Sequence, residues 1–304
     1  MIVVPHEPMP SAATLARAAL AFARVGRRRV RPHDLDARDH TFARDALPAL
    51  GVLYDHVFRC ETEIERDVPD GPSLVVGNHN AMTGMPDMFC HMVAWWRRYG
   101  FDRPAYGLMH DIPFHTPLAG AWFNAAGAIA ADASLARRAL ARGATVLVFP
   151  GGDLDACKPH RERYRIDFGE RRGYIRLALR AKVPIVPLVS AGAHDSLWLW
   201  TDGRKIASFL GLPKRARSNV FPLGFALPFG PVVGLPYPHL PLPVKIHTRI
   251  LAPVDLGGGP GDAADPAFVE AAHQRVVAIM QAAMNDLAQE GRHGLFPRAR
   301  RSST

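Results

Sequence analysis

The sequence has few cysteines and no long apolar run. Its 304 residues include three widely spaced cysteines, Cys60, Cys90 and Cys157. An odd, sparse set builds no disulfide framework and gives no pair at metal-ligand spacing, so we expect reduced thiols. No run reaches the roughly 18 uncharged apolar residues of a spanning helix. The amino terminus carries its basic cluster late, at Arg27–Arg29, so we expect neither a signal peptide nor a spanning helix.

Motifs of several enzyme classes are also absent. There is no G-x-S-x-G turn to carry a serine nucleophile. The glycine-rich segment 257–262 follows no buried strand, so it is not a phosphate-binding loop. Pro113 separates His110 from His115, and no acidic ligand follows them at metal spacing. No nucleic-acid-binding module is recognisable. We therefore expect no metal, no resident cofactor and no nucleic-acid partner.

The residues that are present indicate a basic globular protein. Hydrophobic residues make up 48% of the chain and the formal net charge is +9. This length and hydrophobic content suit one large domain with a well-covered core. The positive charge favours an anionic partner, which from charge alone is a nucleic acid, an acidic membrane surface or a phosphorylated ligand.

Strand and helix patterns alternate along most of the chain. This alternation predicts an α/β fold with a mainly parallel or mixed central sheet flanked by helices. We expect an N-terminal helical segment over 1–45, whose helix at 11–25 either rests on a membrane or packs on the domain. The main domain covers 46–291, and 292–304 is a basic tail. The Pro- and Gly-rich stretch 211–243 predicts loops that cover an apolar surface. Strands are predicted at 73–77, 105–109, 128–131, 145–150, 184–190 and 244–251, and further helices at 43–60, 86–98, 117–127, 134–143 (with a serine cap), 170–182 and 266–291.

The segment VVGNHNAMTGMPDMF (75–89) carries the most chemistry. A buried strand runs into His79, and a short loop leads to a helix opened by Pro86 and Asp87. Open α/β sheets place their ligands at such strand ends. A loop that folds back can bring the Asp87 carboxylate to one imidazole nitrogen, which leaves the other free to accept a proton. The alternative is that both residues are structural.

Two further blocks accompany this loop. The strand TVLVFPGGD (145–153) ends in Phe149, Pro150, Gly151 and Gly152, and residues 158–196 hold a basic segment followed by a Val-Pro-x-x-Pro strand. In this order the blocks resemble the glycerolipid and lysophospholipid acyltransferase superfamily over roughly residues 50–290. Seven residues separate the histidine from the aspartate instead of the usual four. Gly151 replaces a glutamate, as in the forms similar to the diacylglycerol acyltransferase and phytyl ester synthase branches.

The resemblance implies an O-acyltransferase that uses acyl-coenzyme A or an acyl-carrier protein as co-substrate and a lipid alcohol as acceptor. His79 is then the general base and Asp87 its orienting carboxylate. The same resemblance places Asn78, Gly84 and the turn Phe149–Gly152 at the substrate, with backbone amides of the turn as candidate oxyanion donors. In phosphate-accepting members the missing glutamate helps to hold glycerol phosphate, so its loss favours a neutral or larger alcohol.

Nine lysines and arginines lie within residues 158–182, against three acidic residues. Such a cluster either grips phosphate groups or forms a solvated helix face. If it binds phosphate, Arg161 and Arg163 are the candidates, because they follow the Gly-Gly turn closely. His194 and Asp195 follow a predicted strand end and either line the cleft or have a structural role.

We therefore predict an O-acyltransferase on the cytoplasmic side of a membrane, held at the surface without a spanning helix. Two alternatives stay open. A lipid ester hydrolase would use the same histidine with water as acceptor. A non-catalytic lipid-binding protein would keep the fold at a membrane surface without the chemistry.

Overall fold

A wide mixed sheet forms the centre of the molecule, seen in a computed structural model that describes residues 1–80, 86–215, 218–226, 230–234 and 242–299. Its strand order is β1-β2-β11-β7-β3-β6-β4-β5, and a separate small sheet has the order β10-β9-β8. The strands are β1 (Ile2–Val3), β2 (Glu61–Ile64), β3 (Ser73–Gly77), β4 (Ala105–Met109), β5 (Ala128–Ala130), β6 (Thr145–Val148), β7 (Ile185–Ala191), β8 (Trp198–Thr201), β9 (Leu223–Ala226), β10 (Gly230–Val233) and β11 (His247–Ile250).

Helices cover both faces of the wide sheet. They are α1 (Ala12–Gly26), α2 (His40–Val52), α3 (Pro86–Tyr99), α4 (Asp111–Phe114), α5 (Ala119–Ala126), α6 (Ala133–Ala141), α7 (Gly152–Ala156), α8 (Gly173–Ala181), α9 (Arg204–Phe209), α10 (Leu212–Arg215) and α11 (Pro266–Glu290). Their ends follow from capping chemistry. Asp265 caps α11 before a proline at its first position, and Gly291 ends that helix in the left-handed conformation.

Five neighbouring strands run parallel and place their carboxyl ends at one edge. β3 lies between β6 and β7 and pairs in parallel with both, with Val76 opposite Val148 and Gly77 opposite Leu188. On the other side of β7, β11 runs antiparallel to it, which makes the sheet mixed. The predicted fold class is therefore confirmed.

The β3 sequence explains why this strand is central. All five of its residues are buried, as expected for a parallel strand covered on both faces. Leu74 and Val76 pack into the core beneath α6, α8 and α11. Val75 points to the opposite core, beneath α2 and α3. The two cores fix the strand on both sides and therefore fix the position of the residues that follow it.

Helix α1 packs on the domain. The ring of Phe22 makes edge contacts with Phe42 and Trp122, with centroids 5.3 and 5.1 Å apart. The sequence left open whether this helix rests on a membrane or packs on the domain. The structure shows that its inner face packs on the domain, while Leu20 on its outer face is 72% exposed. No helix within the described ranges is both long and apolar enough to cross a bilayer.

Several local expectations differ from the structure. The cap of α6 is Asp132, and not a serine, because its carboxylate accepts the Leu135 amide hydrogen. Cys60 and Cys90 form a disulfide with their Cα atoms 6.5 Å apart, whereas Cys157 is free and buried. The prediction of three reduced thiols is therefore wrong for that pair, because the fold brings distant residues together.

The start of the predicted basic tail and parts of the predicted loop region 211–243 are more ordered than predicted. Arg292 and His293, the first residues of the predicted basic tail, are buried. Residues 211–243 were predicted as loops, but β9 and β10 lie within this stretch and pair with β8. Proline is tolerated there because Pro231 sits on β10, an edge strand of the small sheet.

Candidate active site

His79 lies directly beyond β3 at the carboxyl edge of the sheet. Asn78, which precedes it, is fully buried, and its side-chain amide exchanges two hydrogen bonds with the backbone of Ser190 at 2.8 and 3.0 Å. Asn80 donates to the same Ser190 carbonyl oxygen at 2.9 Å. The Asn78 amide thus ties β3 to β7, and its contact with substrate stays a prediction. It positions His79, whose side chain is 14% exposed.

Asp87 faces the imidazole of His79 from the first turn of α3. Its Oδ2 lies 3.5 Å from His79 Nδ1, at the outer limit of a hydrogen bond, and accepts the Asn80 amide hydrogen at 3.0 Å. Catalytic hydrogen bonds are often long before substrate binds. The sequence-predicted pair is thus brought together with Nδ1 towards the carboxylate. Gly84 lies outside the described residues.

The surroundings of His79 shift its pKa in opposite directions. Burial by itself would lower the pKa of His79, but the hydrogen bond and charge of Asp87 and the charge of Asp155 together raise it above its usual value. Lys158 acts in the opposite direction. A base whose pKa lies closer to neutrality takes up a proton more readily in the transition state.

A buried ion pair that the sequence did not reveal supports the backbone of His79. Asp155 Oδ2 accepts the His79 amide hydrogen at 2.6 Å, and its Oδ1 accepts from Lys158 Nζ, also at 2.6 Å. Lys158 in addition donates to the Arg165 carbonyl oxygen at 2.7 Å. Burial raises the pKa of Asp155. The available signal was the i, i+3 spacing of Asp155 and Lys158 directly after the Gly-Gly turn.

The Gly-Gly turn is shaped around this carboxylate. A Cβ atom added to Gly151 would lie 2.3 Å from the Cβ of Asp155, so no side chain fits at this position without displacing it. The Gly152 amide donates to the Phe149 carbonyl oxygen at 3.0 Å. Of the two predicted oxyanion donors, Gly152 is therefore already occupied, and the Gly151 amide is the remaining candidate.

Phe149 lies between His79 and an apolar cavity. Its ring stacks on the His79 imidazole with centroids 4.8 Å apart, and Gly77 leaves the space for it, since a Cβ there would lie 2.7 Å from the ring. Pro150 is buried beneath the turn. Beyond Phe149 the cavity runs between α3, α5 and strands β4 to β6, and it is lined among others by Met88, Phe89, Met92, Trp95, Leu108 and Phe123.

The two arginines predicted to bind phosphate have different surroundings. The Arg161 side chain is exposed and lies 3.4 Å from Glu162. Arg163 is half-buried and lies 3.7 Å from Asp195. Arg171, which the sequence did not single out, reaches the turn itself, donating to the Gly151 carbonyl oxygen and to Asp153 at 2.6 Å each. The basic cluster is therefore largely tied to carboxylates and carbonyl groups.

A second histidine pair lies near the end of β7. His160 Nε2 and Asp195 Oδ1 are 2.7 Å apart. The neighbouring His194 is buried and has no hydrogen-bond partner in the described part of the chain for either ring nitrogen. Burial, together with the charges of Lys158, His160 and His79, holds the pKa of His194 well below its usual value. His194 thus lies buried beyond the end of β7, the strand next to β3.

Among the described residues, Glu61, Glu63 and His247 form a group with metal-ligand geometry. Its carboxylates are already bonded to cationic side chains. Arg249 donates to Glu63 at 2.8 Å and Arg292 donates to Glu63 at 2.8 Å. Guanidinium groups therefore provide the positive charge that a metal would bring, and this cluster has a structural role between β2, β11 and the end of α11.

Residues 59–191 match the family model described as Acyltransferase. This stretch begins before β2, ends with β7 and contains His79, Asp87 and the Gly-Gly turn. The chain carries an acyltransferase domain. Over this stretch, the match confirms the predicted resemblance to the glycerolipid acyltransferase superfamily.

Similar proteins extend the match beyond the domain. The chain is 32% identical over 192 residues to an uncharacterised protein of Mycobacterium tuberculosis and 30% identical over 192 residues to one of Mycobacterium leprae, in each case over 63% of this chain. It is 26% identical over 181 residues, 58% of its length, to a chicken protein named DGAT1/2-independent enzyme synthesizing storage lipids. These matches cover 52%, 51% and 52% of the respective relatives, so the chain spans about half of their length.

Proposed function

We propose that the protein transfers a fatty acyl group from acyl-coenzyme A or an acyl-carrier protein to the hydroxyl of a lipid alcohol. His79 Nε2 takes the proton of the acceptor hydroxyl, whose oxygen attacks the thioester carbonyl carbon. An ester C–O bond forms, the C–S bond breaks, and the leaving thiolate takes the proton back from His79. Asp87 stays ionised and stabilises the imidazolium. The reaction needs neither an acyl-enzyme intermediate nor a resident cofactor.

The observation that carries the proposal is the His79–Asp87 pair at the carboxyl edge of the sheet, inside the acyltransferase domain. The imidazole has its Nδ1 towards a buried carboxylate, so its Nε2 is the nitrogen left for the hydroxyl. The Gly151 amide, at the end of the neighbouring strand, is the candidate donor to the oxyanion.

The apolar cavity behind Phe149 supports a fatty acyl substrate. Its lining is dominated by aromatic and aliphatic side chains of α3 and the adjoining strands, and Phe149 separates it from the imidazole by one ring. An acyl chain in this cavity would have its carbonyl end beside His79. Apolar pockets with a few convergent polar groups at the mouth are the usual form of such binding sites.

An exposed apolar face supports attachment to a membrane surface. Five exposed residues lie on the outward side of the small sheet, and we call this side the outward face. They are Trp198, Trp200, Phe225, Pro231 and Val233. Trp198 and Phe225 are register partners. Phe209, at the end of α9, is 90% exposed. Monomeric proteins rarely expose contiguous apolar groups of this kind without an interaction partner.

The chemistry next to the outward face fits an anionic bilayer. Exposed basic residues accompany Phe209 on α9 and α10, namely Arg204, Lys205, Lys214 and Arg215. Tryptophan favours the membrane–water interface, and basic residues near it are attracted to anionic lipids. The Trp198 ring lies 4.6 Å from the His160 ring, so the outward face borders the site. We therefore propose peripheral attachment to a membrane through this face.

The activity is tested by thiol release from palmitoyl-coenzyme A with a panel of lipid alcohols, with acyl-carrier protein as a second donor. We expect acceptor-dependent release that His79→Ala abolishes, while the control His56→Ala, at an exposed position, retains it. Release of free fatty acid without acceptor would favour the hydrolase alternative. No release with any donor and acceptor would favour the lipid-binding alternative.

Membrane attachment is tested by flotation with vesicles of neutral or mixed neutral and anionic phospholipids. We expect binding to anionic vesicles that weakens with salt and is lost in Trp198→Ser/Trp200→Ser. The control is Leu20→Ser, because Leu20 on α1 is more exposed than either tryptophan and belongs to the other candidate membrane surface. Loss of binding in the control alone would move the attachment to α1.

A further inference from the structure

His194 lies beyond the carboxyl end of β7, the strand adjacent to the one that His79 follows. It lies in the short turn Ala193–Ser196 that follows β7, and β7 pairs in parallel with β3. Both histidines therefore follow the carboxyl ends of neighbouring strands. The family chemistry described above uses only the histidine after β3, so the second imidazole has no assigned role.

The unusual feature of His194 is that its ring is buried without hydrogen bonds. The residue is 3% exposed, and neither Nδ1 nor Nε2 has a partner within the described ranges. Two buried polar atoms left unpaired are costly. Such an arrangement persists where a ligand provides the missing partners when it binds.

The charges around His194 indicate what that ligand is. Its cationic neighbours already have carboxylate partners, since Lys158 bonds Asp155 at 2.6 Å and His160 bonds Asp195 at 2.7 Å. Arg163 shares the Asp195 carboxylate at 3.7 Å. Each of these positive charges therefore has a carboxylate partner, whereas recognition of a phosphate would require a surplus of positive charge.

The protonation state of His194 gives the hydrogen-bonding pattern. Burial and the neighbouring cations depress the pKa of His194, so the ring is neutral and presents one donor and one acceptor. A hydroxyl group, itself both donor and acceptor, can satisfy such a ring. A phosphate dianion has acceptors only and leaves the second nitrogen unpaired.

We propose that His194 binds a second hydroxyl of the acceptor lipid, next to the one that His79 deprotonates, and so selects an uncharged glycerolipid over its phosphate ester. This inference rests on the proposed function for the identity of the reacting hydroxyl. His194 is then a positioning and specificity-determining residue. Entry from the membrane is consistent with its place, because His160, which borders it, contacts Trp198 on the outward face.

The test compares two probes that differ only in the phosphate, 1-decanoylglycerol and 1-decanoylglycerol 3-phosphate, bound to the full chain and measured by calorimetry below their micelle concentrations. We expect tighter binding of the neutral probe, a loss of about tenfold or more in His194→Leu, and recovery of most of the affinity in His194→Asn, whose amide offers both a donor and an acceptor group. Equal or reversed preference in the wild type would overturn the proposal, as would unchanged affinity in His194→Leu.

The melting temperature separates this role from a structural one. Leucine removes two unpaired polar atoms from the interior, so His194→Leu should melt at the wild-type temperature or above it. A lower melting temperature together with weaker binding of both probes would show a structural role and overturn the proposal. Because binding needs no thioester, a protein that binds the neutral probe through His194 but transfers no acyl group would refute the proposed function alone.

Discussion

The buried pair beneath the active site permits a sharp test of how His79 is held. Asp155 and Lys158 have side chains that are 0% and 4% exposed and lie 2.6 Å apart. In Lys158→Met the carboxylate keeps only the hydrogen bond from the His79 amide. Removing one partner of a buried ion pair costs about 3–5 kcal/mol, because the other charge stays buried. At about 2 °C per kcal/mol for a domain of this size, the melting temperature should fall by roughly 6–10 °C.

The double variant shows whether the pair acts as a unit. In Asp155→Asn/Lys158→Met neither charge remains, so we expect a smaller loss of unfolding free energy than the sum of the two single losses. A coupling of about 2 kcal/mol is typical for residues in direct contact. Urea unfolding of the four proteins measures this coupling. Additive losses would refute the conclusion that the two charges stabilise each other.

The same variants should move the pH profile in opposite directions. The charge of Asp155 raises the pKa of His79 and that of Lys158 lowers it. The acidic limb of kcat/KM should therefore shift to lower pH in Asp155→Asn and to higher pH in Lys158→Met, measured where each protein is fully folded. A shift in one common direction would show that general loosening of the site, and not charge, controls His79.

Three further changes test separate parts of the molecule. Asp87→Asn should lower kcat about 10²–10⁴-fold and move the acidic limb to lower pH, because Asp87 raises the pKa of His79. Gly151→Ala should reduce kcat about 10²-fold, since its Cβ would displace Asp155. Although burial opposes it, hydrogen bonds from His247, Arg292 and Arg249 hold the pKa of Glu63 far below its usual range. Unfolding free energy should thus be lost as the pH falls below about 4.3, and less steeply in Glu63→Gln.

Matched control variants separate these effects from those of substitution in general. Gly173→Ala is the match for Gly151→Ala, because a Cβ at Gly173 would have no atom within 4 Å, and it should retain activity. For Glu63, the matched variant is the exposed Glu170→Gln, whose acid unfolding should follow the wild type. A wild-type profile in Asp87→Asn would remove Asp87 from the mechanism.

The sequence predicted the elements that carry strong local patterns. Strands β3 and β4 were predicted with the boundaries that the structure shows, because short apolar runs are bounded there by glycine, proline or polar residues. The pairing of His79 with Asp87 was also predicted. The evidence lay in one continuous segment, in which a strand end, a loop and a helix start follow each other.

The remaining site residues come from pairings that the sequence does not display. His79 meets Asp155 across 76 positions and Asn78 meets Ser190 across 112. Only the sheet order brings these residues together, and the strand order is not encoded in any local period. The antiparallel strands at 223–226 and 230–233 were missed for a different reason. Their prolines and glycines argue against strands in general but are compatible with an edge strand.

The departures from the family pattern are consistent with one another. The glutamate of the usual signature has no room at Gly151, because Asp155 occupies that space and supports the His79 backbone instead. Arg171, which could have met a phosphate beside the turn, is bonded to Asp153 and to the turn carbonyl groups. His194, which is also buried near this edge, has a pKa well below its usual value because of burial and neighbouring charges. Within the described residues, Lys158 and Arg171 are thus both paired with carboxylates. A phosphate-bearing acceptor would have to break one of these pairs, whereas an uncharged alcohol would need to break none.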